Sequence, residues 1–161
     1  MKRVAVSGHR GLTPEVAVLV AEGIGAELER LAPAGADLVG ITCLADGADQ
    51  IFATAVLDRG GEIEVVIPAE KYREGLPDET KHQYDKLLAD ASAVHRCTYV
   101  ESTAEAHMDA SRLMVDSADH LIAVWDGEPA RSYGGTADVV QYAQEKAVPV
   151  SIVWPTGAKR S

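Results

Sequence analysis

Short apolar segments alternate with amphipathic ones along the whole chain, and this alternation limits the possible folds more than any other feature of the sequence. The segments predicted as strands are residues 3–7, 37–43, 64–67, 93–97, 120–125 and 148–154. Helical segments separate these strands and carry apolar residues three and four positions apart. Right-handed crossovers between such strands predict an α/β fold, namely a three-layer, doubly wound, mainly parallel sheet of Rossmann-like type with about six strands.

Local signals predict where two of the helices begin. Thr13 precedes Pro14 and Glu15, the order expected for an N-cap, a first helical residue and an acidic first turn. Ser102 and Glu105 have the spacing of a capping box, so we expect the fourth helix to start there.

The length of the chain limits the number of domains, and its net charge limits the kinds of partner that it can bind. A chain of 161 residues favours one domain, predicted over residues 1–155, followed by a flexible tail over residues 156–161. The chain has 15 basic and 25 acidic residues, a net charge of −10. This charge argues against broad nucleic-acid binding and against binding to anionic membranes, but it is compatible with a small local anion site.

The cysteines and the N-terminal segment predict the cellular location. Cys43 and Cys97 each end a predicted strand and are interpreted as buried thiols in a reducing compartment. The apolar run of residues 4–6 is too short for a signal peptide, and no apolar run reaches membrane-spanning length. We therefore expect a cytoplasmic protein without a membrane partner, and analogy with related folds suggests a homodimer.

The loops after the first and second strands hold the first candidate ligand-binding residues. In a doubly wound sheet, ligands bind at the carboxyl ends of the strands. Gly8 and His9 follow the first strand, and the neighbouring Arg10 suits a phosphate. After the second strand, Asp46 can cap a helix and Gly47 can let a ligand approach closely. The alternative for both loops is a plain strand-to-helix turn with no ligand, and the nearby Asp49 is interpreted as structural.

The loop after the fifth strand carries the richest pattern. Its candidate ligand-binding residues are Asp126, Gly127, Arg131, Gly134, Gly135 and Thr136. Two adjacent glycines before a threonine at a helix start build a nest of backbone N–H groups, and an arginine in the same loop can close over an anion. The alternative is a surface loop with a glycine hinge. No Cys or His pair has the spacing of metal ligands, so we predict neither a metal nor a separate cofactor.

The segment of residues 112–127, followed by Gly134-Gly135-Thr136, resembles the SLOG superfamily. This group includes the LOG-type phosphoribohydrolases, DNA processing protein A and the YpsA-like proteins. Residues 7–10 and 45–49 are similar to the first two loops of the same group, so the resemblance covers about residues 3–153.

The resemblance implies a Rossmann-like fold and a nucleotide or nucleotide-derived ligand. In LOG enzymes an arginine and a glutamate carry cleavage of the N-glycosidic bond of a nucleoside monophosphate, and Arg112 is the nearest match to that arginine. The family pattern places the glutamate three residues after the threonine, where this chain has Val139. Asp138 is the nearest carboxylate, but on a helix it points about 100° away.

Different function classes remain open at this point. The first is a binding module that holds a nucleotide-like small molecule without turnover, as a sensor. The second is a phosphoribohydrolase in which Asp138 stabilises the sugar cation or activates water while Arg112 orients the phosphate. The third is an interaction protein with a vestigial site. Because Val139 cannot act as the family's acid, we expect little or no N-glycosidic cleavage.

Overall fold

Strands and helices alternate throughout the computed structural model, which describes residues 1–33, 37–130 and 133–158. The strands are β1 (Lys2–Gly8), β2 (Leu38–Thr42), β3 (Glu62–Ala69), β4 (Ala93–Tyr99), β5 (His120–Val124) and β6 (Val150–Val153). The helices are α1 (Pro14–Leu31), α2 (Ala48–Asp58), α3 (Asp78–Ala89), α4 (Ala104–Asp116) and α5 (Thr136–Glu145), with a 3₁₀ turn at Arg73–Gly75.

Within the described ranges, the six strands form one parallel sheet in the order β4-β3-β2-β1-β5-β6. The chain moves outward from β1 to β4 and then returns to the other side of β1, so the direction of winding switches between β1 and β5. Helices α1, α2 and α3 pack beside one another on one face, and α4 and α5 pair on the other. The predicted three-layer, doubly wound α/β fold is confirmed.

The core lies on both faces of the central strands. Every residue of β2 and of β5 is buried, which explains why their sequences do not alternate between apolar and polar. Phe52 of α2, the single phenylalanine of the sequence, is fully buried and packs over Gly40 of β2. A Cβ atom at position 40 would lie 2.8 Å from the Phe52 ring, so the glycine makes room for this aromatic side chain.

All six strands differ from their predicted ranges by one or two residues at one or both ends, and β3 and β2 illustrate the difference. Strand β3 does not stop before Pro68 but continues to Ala69, with a shift of register against β4 between Ile67 and Ala69. A proline has no N–H to donate to the ladder, so the strand passes it only where the pairing is irregular. Strand β2 in turn ends at Thr42, one residue earlier than expected.

The two predicted helix starts have different outcomes. The Thr13 hydroxyl accepts a hydrogen bond from the Val16 amide at 3.3 Å, which confirms the cap of α1. The predicted capping box at Ser102 is wrong, because Thr103 caps α4 by accepting from the Ala106 amide at 3.1 Å.

Both cysteines are free thiols, with Cys43 buried and Cys97 only partly so. Among the helices of the described ranges, none is long and apolar enough to cross a membrane.

Candidate functional site

A cavity of about 510 Å³ opens at the carboxyl edge of the sheet, beside the switch point between β1 and β5. Its volume is in the range of sites for small molecules. The loops after β1, β2, β3 and β5 line it together with one face of α4. The candidate ligand-binding residues that line it are Gly8, His9, Arg10, Gly134, Gly135 and Thr136.

The loop after β1 is tied to the loop after β5. The His9 amide donates to the Val124 carbonyl at 3.2 Å, and His9 Nε2 accepts from the Asp126 amide at 3.1 Å. The same Nε2 lies 3.4 Å from Asp126 Oδ1. The ring also meets Trp154 edge-on at 5.2 Å. His9 therefore positions two walls of the cavity as well as lining it.

Asp46 joins the loop after β2 to the loop after β1. Its carboxylate accepts from Arg10 Nε at 2.7 Å and from the Gly11 amide at 3.0 Å. The predicted capping of α2 by this side chain is wrong, because a guanidinium and an amide from the other loop provide a charge-assisted pair of donors. Gly47 has φ +85°, and a Cβ there would lie 2.7 Å from the His9 carbonyl oxygen. Neither Asp46 nor Gly47 lines the cavity, so both support its wall.

The N-terminus of α5 faces the cavity. Its N-cap is Gly135, which has no side chain to cap the helix. The first backbone bond of the helix runs from the Asp138 amide to the Gly135 carbonyl, so the amides of Thr136 and Ala137 precede the hydrogen-bonded turns. The Thr136 hydroxyl lies 3.4 Å from Ser7 Oγ. A positive helix end and two hydroxyl groups thus meet at one corner of the cavity.

The first half of the loop after β5 folds on itself. Asp126 accepts from the Glu128 amide at 2.9 Å, and Trp125 Nε1 donates to the Glu128 carbonyl at 2.7 Å. Gly127 occupies the turn with φ +84°. Asp126 and Gly127 do not line the cavity and instead shape this loop. Arg131, another predicted ligand-binding residue, lies outside the described residues.

The two predicted catalytic residues lie outside the cavity lining. Arg112 donates to Asp109 at 2.7 Å and to the Tyr133 hydroxyl at 2.6 Å. Asp138 accepts from the Gly134 amide at 2.9 Å. The Asp138 carboxylate therefore occupies the amide of one of the two glycines that were predicted to bind a phosphate. The side chains of Arg112 and Asp138 are both hydrogen-bonded to neighbouring residues of the protein.

Two side chains of the inner cavity were not predicted as site residues. Asp49 of α2 lines the cavity but is only 7% exposed, and its Oδ2 accepts from the Ala45 amide at 3.2 Å. Burial raises the pKa of Asp49 to about 7. Tyr72, which follows β3, is 5% exposed and also lines the cavity. Each reaches the cavity through the packing of separate elements, which local sequence patterns do not specify.

The α4 face adds His107 and Ser111 to the same end of the cavity. The His107 ring meets the Tyr72 ring edge-on at 5.6 Å, and its Nε2 pairs with Ser102 Oγ at 2.7 Å. Burial, followed by the positive charge of Arg10, lowers the pKa of His107, which favours the neutral ring. His107 and Ser111 are four residues apart on α4, and this spacing could have predicted that the two side chains share one face of the helix.

No metal cluster is formed by the residues that the structure describes. Within them, no group of three or more His, Cys, Asp and Glu side chains is placed to hold a metal ion. The hydrogen-bonding groups of the cavity come instead from hydroxyl, carboxyl, imidazole, guanidinium and backbone amide groups.

Comparison with known proteins finds similarity in structure alone. No family model matches the sequence, and no curated protein matches it. DNA processing protein A from Streptococcus pneumoniae superposes with a TM-score of 0.69 at 21% identity, over 99% of this chain and 52% of that protein. DNA processing protein A from Helicobacter pylori gives 0.69 at 14% identity, over 99% and 68%. The molybdenum cofactor carrier protein of Chlamydomonas reinhardtii gives 0.58 at 16% identity, over 94% and 75%.

One expectation from composition is overturned by these structures. The net charge of −10 argued against broad nucleic-acid binding, yet the H. pylori protein with this fold binds single-stranded DNA. The expectation is wrong because a net charge sums over the whole chain, whereas contact with a single strand depends on local charge and on stacking surfaces. Acidic composition does not exclude nucleic acid for this fold.

The similarity concerns the fold. This chain spans about half the length of the S. pneumoniae protein, 52%, so that protein contains further chain with no counterpart here. The superpositions cover 99% of this chain at TM-scores of 0.69 and identities of 14–21%. The comparisons therefore show that this chain shares the Rossmann-like α/β fold of these proteins, as the sequence predicted.

Proposed function

We propose that this chain binds a nucleotide or nucleotide-derived small ligand in the cavity, with a phosphate of the ligand at the N-terminus of α5. One observation carries the proposal: the helix end that lacks a side-chain cap opens into the cavity at Gly135 and Thr136. Amides at a helix start and the positive end of its dipole favour an anion together.

Arg10 supplies the positive charge that such a site needs in an acidic protein. Its side chain is 46% exposed and lines the cavity. The bond to Asp46 uses Nε, which leaves the two terminal nitrogens of the guanidinium for phosphate oxygens. Because Asp46 also accepts from the Gly11 amide, the arginine is anchored at its base while its tip faces the ligand.

The geometry favours binding over cleavage. An acid or base must lie within hydrogen-bond reach of the reacting atoms. Asp138 is engaged with the Gly134 amide and Arg112 with Asp109 and Tyr133, and neither lines the cavity. The function supported best is a binding module, which fits a sensor of its ligand.

Titration calorimetry with AMP tests the proposal. Gly135 has φ −70°, which valine tolerates, so Gly135→Val is expected to fold and to block the phosphate sterically. Arg10→Ala removes a charge-assisted contact and is expected to weaken binding by roughly tenfold. The matched control is Arg30→Ala, in the last turn of α1, which is expected to bind AMP like the parent.

Three results would contradict the proposal. Parent-like affinity in both Gly135→Val and Arg10→Ala would place the ligand elsewhere. Binding of a single-stranded oligonucleotide but of no mononucleotide would replace a small-molecule site with a nucleic-acid site. Release of free base from AMP by the parent, lost in Asp138→Asn with binding retained, would favour the phosphoribohydrolase.

A further inference from the structure

Part of the cavity lining, formed by Tyr72 and by Ser111 of α4, holds hydroxyl groups for which no partner lies among the described residues. Tyr72 is 5% exposed and Ser111 is 9% exposed, and both line the cavity. Among the residues that the structure describes, none is hydrogen-bonded to the Tyr72 hydroxyl or to Ser111 Oγ. Every fully enclosed polar side-chain atom of the described residues does have a partner, so these two hydroxyls must open to the cavity.

Asp49 adds a hydrogen-bond acceptor to the cavity lining. Its Oδ2 is engaged by the Ala45 amide, so its second oxygen is the one left for other groups in this polar corner. The nearby Tyr72 keeps its proton, because burial raises the pKa of its hydroxyl well above the ordinary value. Because these hydroxyls open to the cavity, a ligand group can form hydrogen bonds with them that the protein itself does not provide.

The chemistry of this part of the lining differs from that of the α5 end. Its other lining includes the neutral His107 ring, the buried Cys43 thiol and Met114. A carboxyl group and apolar side chains disfavour a second phosphate here. Hydroxyls that both donate and accept, beside a carboxyl group, suit a neutral group rich in hydrogen-bond donors.

We propose that Tyr72, Ser111 and Asp49 form an inner subsite that binds the neutral, hydrogen-bonding part of a phosphorylated ligand, the sugar or the base of a nucleotide. This inference rests on the proposed function, in which the phosphate occupies the α5 end. It assigns specificity for the rest of the ligand to residues from α2, α4 and the loop after β3.

The test compares three ligands on one set of variants. Inorganic phosphate, ribose 5-phosphate and AMP are titrated into the parent, Tyr72→Phe and Ser111→Ala. Each variant is expected to weaken AMP binding by about five- to tenfold and to leave phosphate binding unchanged. A matching loss with ribose 5-phosphate places the sugar in the subsite, and a loss with AMP alone places the base there. The control is Tyr84→Phe, a buried tyrosine that packs 6.2 Å from Tyr72 but does not line the cavity.

The possible failures are distinguishable. If the parent binds AMP and phosphate but both hydroxyl variants bind AMP like the parent, the inner subsite is refuted and the α5 site survives. If the variants weaken phosphate and AMP equally, the hydroxyls act on the phosphate end and the subsite is again refuted. If the parent binds none of the three ligands, the proposed function and this inference fall together. Ser111→Ala keeps the test decisive if Tyr72→Phe is poorly folded.

Discussion

Asp49 should make the protein less stable as the pH rises, and Asp49→Asn should remove this dependence. Burial raises the pKa of Asp49 to about 7, whereas an aspartate in an unfolded chain has a pKa of about 3.9. Between these values the folded state keeps a proton that the unfolded state has lost. The free energy of unfolding therefore falls as the pH rises through this window, and the loss is complete above about pH 7.

The size of the effect follows from the same two values. A separation of about 3 pKa units at about 1.36 kcal/mol each gives a penalty of about 4 kcal/mol at pH 8 and about 1.5 kcal/mol at pH 5. Asn at position 49 keeps an oxygen for the Ala45 amide and cannot ionise. The stability advantage of Asp49→Asn over the parent should thus grow by roughly 2–3 kcal/mol between pH 5 and pH 8.

Urea denaturation of both proteins at the two pH values measures this difference. Taking the difference between variant and parent cancels the histidines, which titrate in both. The control is Asp58→Asn, an exposed carboxylate on the same helix, whose effect should be equal at both pH values. An Asp49→Asn effect that is the same at pH 5 and pH 8 would refute the reasoning that burial controls this carboxyl group.

Three further substitutions test the packing that supports the cavity, each by urea denaturation. Gly47→Ala forces a side chain onto φ +85° and against the His9 carbonyl, so it should cost about 1–3 kcal/mol; parent-like stability would contradict the described turn. Phe52→Ala should cost about 3–5 kcal/mol, whereas Val18→Ala at a 60% exposed position should cost little, and similar losses would contradict the assigned core. Thr103→Ala should cost about 1 kcal/mol as a lost N-cap, and no loss would leave the capping of α4 unsupported.

Local patterns account for what the sequence could predict. Strand and helix identity depends on periodicity within a few residues, so the six strands and the Thr13 cap could be located without tertiary information. The parallel sheet follows from the alternation and from the handedness of crossovers, which places the loops after β1 and β5 at one edge. For this reason the sequence could also predict that Arg10, Gly135 and Thr136 line the cavity.

The tertiary structure alone decided which side chains meet. Asp46 looked like a cap for its own helix, but the neighbouring loop presents Arg10 and a backbone amide to it. Asp138 follows the glycine pair so closely that it accepts from the Gly134 amide instead of facing the cavity. Asp49 and Tyr72 reach one corner from separate elements of the fold. Such contacts join residues far apart in the chain, and their geometry depends on how closely the helices pack on the sheet. Periodicity within one segment carries no information about that distance, so the sequence by itself located the edge of the site and the packed fold determined its chemistry.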